Sequence, residues 1–109
     1  MDEEQTREML GQFQQYQQQL QSILMQKETM QMQLMEITKA LEELDSTKNE
    51  KAYKITGQIM VSKPVEELKK ELSETKEAID VRVQSLERAE EKFTVKLKEM
   101  ESELRKLVK

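Results

Sequence analysis

An apolar repeat of seven runs through this chain twice and leaves few folds open to it. Met9, Phe13, Tyr16, Leu20, Ile23, Lys27, Met30, Leu34, Ile37, Leu41 and Leu44 alternate in steps of three and four without a slip. Only Lys27 is polar among them. Val65, Leu72, Ile79, Leu86, Phe93, Met100 and Leu107 then recur every seventh residue. Leu68 flanks this second row early, and Val83, Leu97 and Leu104 flank it later. Between them, Thr75 and Arg82 interrupt the companion row, so its side shifts there. Seams of this period bury one narrow stripe against a partner helix, and predict two coiled-coil arms. The first, at ~1.5 Å per residue, is roughly 55–65 Å long.

Composition agrees with that reading. About half of the 109 residues are Ala, Glu, Lys, Leu or Arg, and charged residues reach 37%, the profile of long helices rather than a globular core. Two Gly, one Pro and 4% aromatics leave little turn chemistry and little bulk. With no His and no Cys, imidazole and thiolate metal sites, Cys nucleophiles and His general bases are excluded. Paired glutamates such as Glu42-Glu43, Glu66-Glu67 and Glu90-Glu91 do not converge on one helix face. No enzyme, no metal and no cofactor is expected. The acidic start, Met1-Asp2-Glu3-Glu4, lacks the features of a secretory signal, and apolar runs reach only three residues, so a soluble intracellular protein is expected.

Charge is uneven. Residues 1–45 carry 3 basic and 9 acidic side chains, residues 46–64 carry 4 and 1, and residues 65–109 carry 11 and 12. No stretch has the dense basic character that a phosphate backbone requires. Lys48, Lys51, Lys54 and Lys63 read as solvated loop and strand-edge charges. With a net charge of −4, neither nucleic acid nor membrane is an expected partner. The Gln run from Gln12 to Gln21 is broken at seam positions and reads as a solvated helix face.

Between the arms the period changes from seven to two. After the polar Lys48-Asn49-Glu50-Lys51, the residues Tyr53, Ile55, Gly57, Ile59 and Val61 alternate with Lys54, Thr56, Gln58, Met60 and Ser62. Two short strands joined at Thr56-Gly57-Gln58 are expected, because Gly57 is free to take φ > 0. The competing reading, a linker between two helices, has no use for so many β-branched and aromatic residues. Pro64 suits the first helical position, with Glu66 and Glu67 placed to complement the helix dipole.

A connector of about 20 residues lets the arms fold back antiparallel. Lys27 then falls near Leu86 and within a turn of Glu87 and Glu90. Two readings stay open: Lys27 pairs with one of these glutamates and helps fix register, or it snorkels its charge to water. A lone hairpin is marginal in water and exposes two strand edges. Taking Tyr53, Ile55, Ile59 and Val61 as one apolar face, the simplest solution is that several hairpins pair edge to edge into a larger sheet or barrel, with helical arms projecting from it.

The opening Gln12-Phe13-Gln14-Gln15-Tyr16-Gln17-Gln18-Gln19-Leu20, the close Lys39-Ala40-Leu41-Glu42-Glu43-Leu44 and the hairpin Tyr53-Lys54-Ile55-Thr56-Gly57-Gln58-Ile59-Met60-Val61 together resemble the β class of prefoldin subunits. The hairpin is the most specific part. One strand pair fits between the arms, as in the β class, whereas the α class carries two hairpins. The resemblance implies a single prefoldin-like domain over 1–109, with helices at about 5–47 and 64–108 and the hairpin at about 52–62. It implies a hetero-hexamer of two α-class and four β-class chains joined through a β-barrel hub. It further implies an ATP-independent, cytosolic co-chaperone that holds non-native polypeptides at its coiled-coil tips and passes them to a group II chaperonin.

Carried onto this chain, the resemblance makes Met9, Leu10, Phe13, Leu104, Leu107 and Val108 the candidate client-binding residues. Frayed coiled-coil ends expose seam residues with no further turn to pack against, and Met is the most adaptable apolar side chain. The alternative is that these residues merely finish the coiled coil. Met25, Met32 and Met35, off the seam, read as helix formers on partly exposed faces. The rival function is a structural coiled-coil adaptor with no unfolded client, for which a self-pairing hairpin has no purpose.

Overall fold

The structure, a computed structural model, describes residues 2–107. It is mainly α, with helix α1 (Glu3–Ser46), strands β1 (Lys51–Thr56) and β2 (Ile59–Pro64), and helix α2 (Val65–Leu107). The strands form one antiparallel two-stranded sheet. No helix among the described residues is long and apolar enough to cross a membrane.

Both helices start with the chemistry their orphan donors need. Asp2 Oδ1 accepts the Gln5 N–H at 2.8 Å, and Gln5 Oε1 accepts the Asp2 N–H at 3.2 Å. This reciprocal pair is a capping box, and Glu3 and Glu4 follow in the first turn. In α2, Glu66 and Glu67 occupy the first turn and Arg105 and Lys106 the last, each sign matched to its end of the helix dipole.

The residues group into two compact units. One comprises Met1–Thr29 with Val83–Lys109, the other Met30–Arg82. In the first, Val83, Leu86 and Met100 of α2 are buried, while Met9, Phe13, Tyr16, Leu20 and Ile23 of α1 are half-buried, as are Phe93 and Leu97 of α2. The Tyr16 and Phe93 rings lie 5.7 Å apart at 51°, a tilted contact that contributes about 0.5–1.5 kcal/mol beyond area burial. Tyr16 meets Phe93 whereas the later Lys27 meets the earlier Glu90, so the two helices run antiparallel in this unit. The residues turned inward are those of the sevenfold rows.

In the second unit, Val65 and Leu68 are buried, with Leu34, Ile37, Leu41 and Leu44 of α1 and Leu72 and Ile79 of α2 half-buried. Thr75 and Arg82, which interrupt the companion row, are exposed. Asp45 in the last turn of α1 reaches Lys69 at 3.1 Å. That ion pair, with the hydrogen bond Lys69 donates to Glu66, holds the Lys69 ammonium above its usual range. The Val65 N–H donates to the Glu50 carbonyl at 2.9 Å, tying the start of α2 to the entry of β1.

The hairpin corrects the sequence reading in three respects. Its register pairs Tyr53 with Ser62, Lys54 with Val61, Ile55 with Met60 and Thr56 with Ile59. Directly opposed residues share a face, and a two-residue turn pairs odd positions with even ones. Tyr53, Ile55 and Met60 therefore share one face, while Ile59 and Val61 lie on the other with Lys54. Tyr53, Ile55, Ile59 and Val61 are not one apolar face; the sheet has two. Second, Pro64 ends β2 opposite Lys51, and α2 begins at Val65. A proline can close a strand here because the ladder loses only a terminal donor. Third, Lys51 belongs to β1 rather than to the loop. Gly57 does take a positive φ, of 62°, and no other described residue does. A positive φ at Gly57 followed by a negative φ at Gln58 is the φ sign pattern of a type II′ hairpin turn.

Candidate assembly and client-binding sites

Three groups of residues carry the functional reading: the hairpin, the polar pair in the seam, and the ends of the helices in the first unit. On the hairpin, Tyr53 and Ile55 are 69% and 70% exposed, Met60 63%, Ile59 66% and Val61 40%. Its only residues withdrawn from solvent are Ala52 and Lys63, which face each other across the strands. Fully covering a side chain of Ile or Met size stabilises by about 1.5–3 kcal/mol, so the uncovered residues represent a substantial driving force on both faces. Both strands also have an unpaired outer edge, and such edges are templates for further strands.

Met60 was missing from the sequence-derived apolar set. The signal lay in the turn length, since a two-residue loop inverts parity between strands.

The seam pair is formed. Lys27 Nζ lies 2.6 Å from Glu90 Oε2, and both side chains are largely withdrawn from solvent. The hydrogen bond that Lys27 donates to Glu90 raises the ammonium pKa above its usual range. Desolvation opposes that shift, and the charges of Glu90 and then Glu87 reinforce it. Glu87 itself stays exposed and acts on Lys27 only through space. Lys27 is thus paired with protein rather than extended to water.

At the helix ends, Met9, Phe13 and Leu104 are half-buried, while Leu10 and Leu107 are 45% and 37% exposed. Val108 lies outside the described residues. All of the described members belong to the first unit. Met25, Met32 and Met35 are exposed along α1. Among the described residues no three His, Cys, Asp or Glu side chains gather as metal ligands would.

A further cluster escaped the sequence reading. Glu71 on α2 receives Lys63 Nζ at 2.7 Å on Oε1 and Lys54 Nζ at 3.6 Å on Oε2. Lys54 and Lys63 come from different strands but the same sheet face, so they are not simply solvated charges. The Lys63 hydrogen bond is the main cause holding the Glu71 carboxyl below its usual range. Desolvation opposes it, and the charges of both lysines add to it. Lys63 is correspondingly held above the usual lysine range by Glu71. Two lysines on one face of a hairpin were the available hint that a carboxylate lies beneath them.

Comparison with known proteins fits this geometry. The family model described as prefoldin subunit matches residues 7–109. The chain is 40% identical over 101 residues to prefoldin subunit beta of Thermococcus kodakarensis, covering 92% of this chain and 86% of that one. It is 36% identical over 105 residues to the Archaeoglobus fulgidus protein of the same name, covering 95% and 90%. The crystal structure of the prefoldin beta subunit from Thermococcus strain KS-1 superposes with a TM-score of 0.84 at 38% identity, covering 96% and 93% of the two chains. A match of this extent, on two heptad helices joined by one hairpin, means that the chain belongs to the prefoldin subunit family.

Proposed function

We propose that this chain is a β-class subunit of a prefoldin-type co-chaperone, acting without catalysis and without ATP. Its hairpin joins those of other subunits in a β-barrel hub, in a hetero-hexamer of two α-class and four β-class chains. The helical arms hold non-native polypeptides at their ends and pass them, in the cytosol, to a group II chaperonin. The observation that carries the reading is the hairpin, which leaves large apolar residues uncovered on both faces and both strand edges unpaired. A coiled-coil adaptor has no need of such an element.

The tip assignment rests on Leu10 and Leu107, which remain exposed beside half-buried Met9, Phe13 and Leu104. Each tip offers only a small apolar patch, so several arms acting together supply the avidity. In the register pair, Lys27 and Glu90 favour one alignment of the two helices, because a slip would leave two largely desolvated charges unpaired.

The test is suppression of aggregation, followed by light scattering as a denatured client is diluted into buffer containing the assembled complex. The assembly should hold scattering down at stoichiometric amounts with no nucleotide present. Scattering equal to that of a buffer control would leave the adaptor reading in its place.

A further inference from the structure

The hub reading requires every hairpin to be offered to its neighbours at one angle, and the packing of the hairpin does not by itself set that angle. Beneath β1 lies a hollow of ≈330 Å³ lined by Ala40, Leu44, Ala52, Leu68 and Leu72 among others, so the sheet does not sit tightly on the helices. Of twelve strand residues only Ala52 and Lys63 are even half-buried. The backbone ties the hairpin down at one end alone, through the covalent join at Pro64–Val65 and the Val65 to Glu50 hydrogen bond. A ribbon anchored only at its base can tilt about that base.

What crosses the gap is Glu71. Its two oxygens take one lysine from each strand, Lys63 at 2.7 Å and Lys54 at 3.6 Å. Lys63 lies at the anchored base and Lys54 further toward the turn. A contact close to a hinge restrains tilt only weakly, and a second one further from it adds the lever arm that makes the restraint effective. Both lysines lie on the face that carries Ile59 and Val61, so the clamp turns that face toward α2 and leaves Tyr53, Ile55 and Met60 on the outward face.

We propose that Glu71 is a positioning residue for assembly: by gripping Lys54 and Lys63 together it sets the tilt of the hairpin and so decides which apolar face is presented to neighbouring subunits. This rests on the hub reading and adds to it the device that makes the hairpin's pose reproducible. An apolar residue would fill the hollow more fully but would not fix direction, because hydrophobic contact is non-directional, whereas hydrogen-bonded ion pairs are directional.

The test uses the full chain with cysteines introduced by Gln58→Cys and Ser73→Cys. These label uniquely because the chain has no cysteine of its own. Spin labels there report the distance from turn to α2 in the isolated chain, and association with an α-class prefoldin subunit is measured in parallel on the unlabelled protein. Glu71→Gln should broaden the distance distribution and weaken assembly by roughly two- to fivefold per subunit, with the helical melting temperature lowered only slightly. The charge-reversed triple variant Glu71→Lys, Lys54→Glu, Lys63→Glu should restore both. A Glu71→Gln distribution as narrow as the wild type would overturn the clamp while leaving the hub reading intact. So would a loss that the triple variant does not repair. A wild-type chain that joins no complex would remove the hub reading, and this inference with it.

Discussion

The two units use the same kind of residue in opposite ways. In the unit of Met1–Thr29 and Val83–Lys109, the seam side chains mostly face inward, and Leu10 and Leu107 are exposed near the helix ends, as Leu24, Met25 and Val95 are along the helices. In the unit of Met30–Arg82 the seam is also covered, yet the hairpin holds Tyr53, Ile55, Ile59 and Met60 more than half exposed. A β-edge demands a partner of fixed geometry, because its unpaired donors and acceptors must be met one by one. A helix end demands only apolar contact, which is tolerant of shape. The hairpin therefore suits a defined partner and the helix ends suit variable ones.

That contrast is open to direct attack. The largest effect belongs to the hairpin: Ile55→Asp places a charge among residues meant to be covered. It should abolish assembly in native mass spectrometry while circular dichroism retains the helices, and an intact oligomer would break the distinction between the units. Next comes the tip, where Leu10→Ser, Leu104→Ser and Leu107→Ser combined should weaken client capture several-fold and leave assembly unchanged. Capture at the wild-type level would move the client site to the inner surfaces of the arms.

A smaller effect concerns α1 itself. Gly11 lies inside the helix, and a Cβ placed there meets nothing within 4 Å. Gly11→Ala should stabilise the protein by ~1 kcal/mol, read as a higher melting temperature. A decrease would mean that Gly11 has a contact in the assembly.

The smallest effect is in pH dependence. Glu90 and Glu87 raise the Lys27 pKa in the folded state, so the pair's contribution is complete below the unfolded lysine value, ~10.4. It is lost as pH rises through the higher folded value. Lys27→Met should remove that alkaline decline and lower the neutral-pH melting temperature modestly, because Glu90 is left without its partner. For Glu71 the sign is reversed: its folded pKa is lowered. Its contribution is present above the unfolded value of ~4.3 and lost as pH falls through the lower folded one.

Much of this architecture was legible because it is local. The sevenfold rows give the buried stripe of each helix directly, and Gly57 marks the turn because only there does the backbone need a positive φ. The approach of Lys27 to Glu87 and Glu90 followed from counting back across an antiparallel fold. The faces of the hairpin were not legible from alternation alone. Alternation is a property of one strand, whereas sharing a face is a property of register, and the two-residue turn puts Ile55 opposite Met60. Glu71 was hidden for a related reason. It sits between Lys70 and Leu72 in an ordinary helical stretch, and its meaning depends on two lysines brought over it by the folding of the hairpin.

Whether the hairpin is an assembly element is decided by native mass spectrometry of the chain alone and mixed with an α-class prefoldin subunit. The expected result is a mixed hexamer containing four copies of this chain, lost on Ile55→Asp. A monomer or simple dimer unaffected by the added subunit would contradict it.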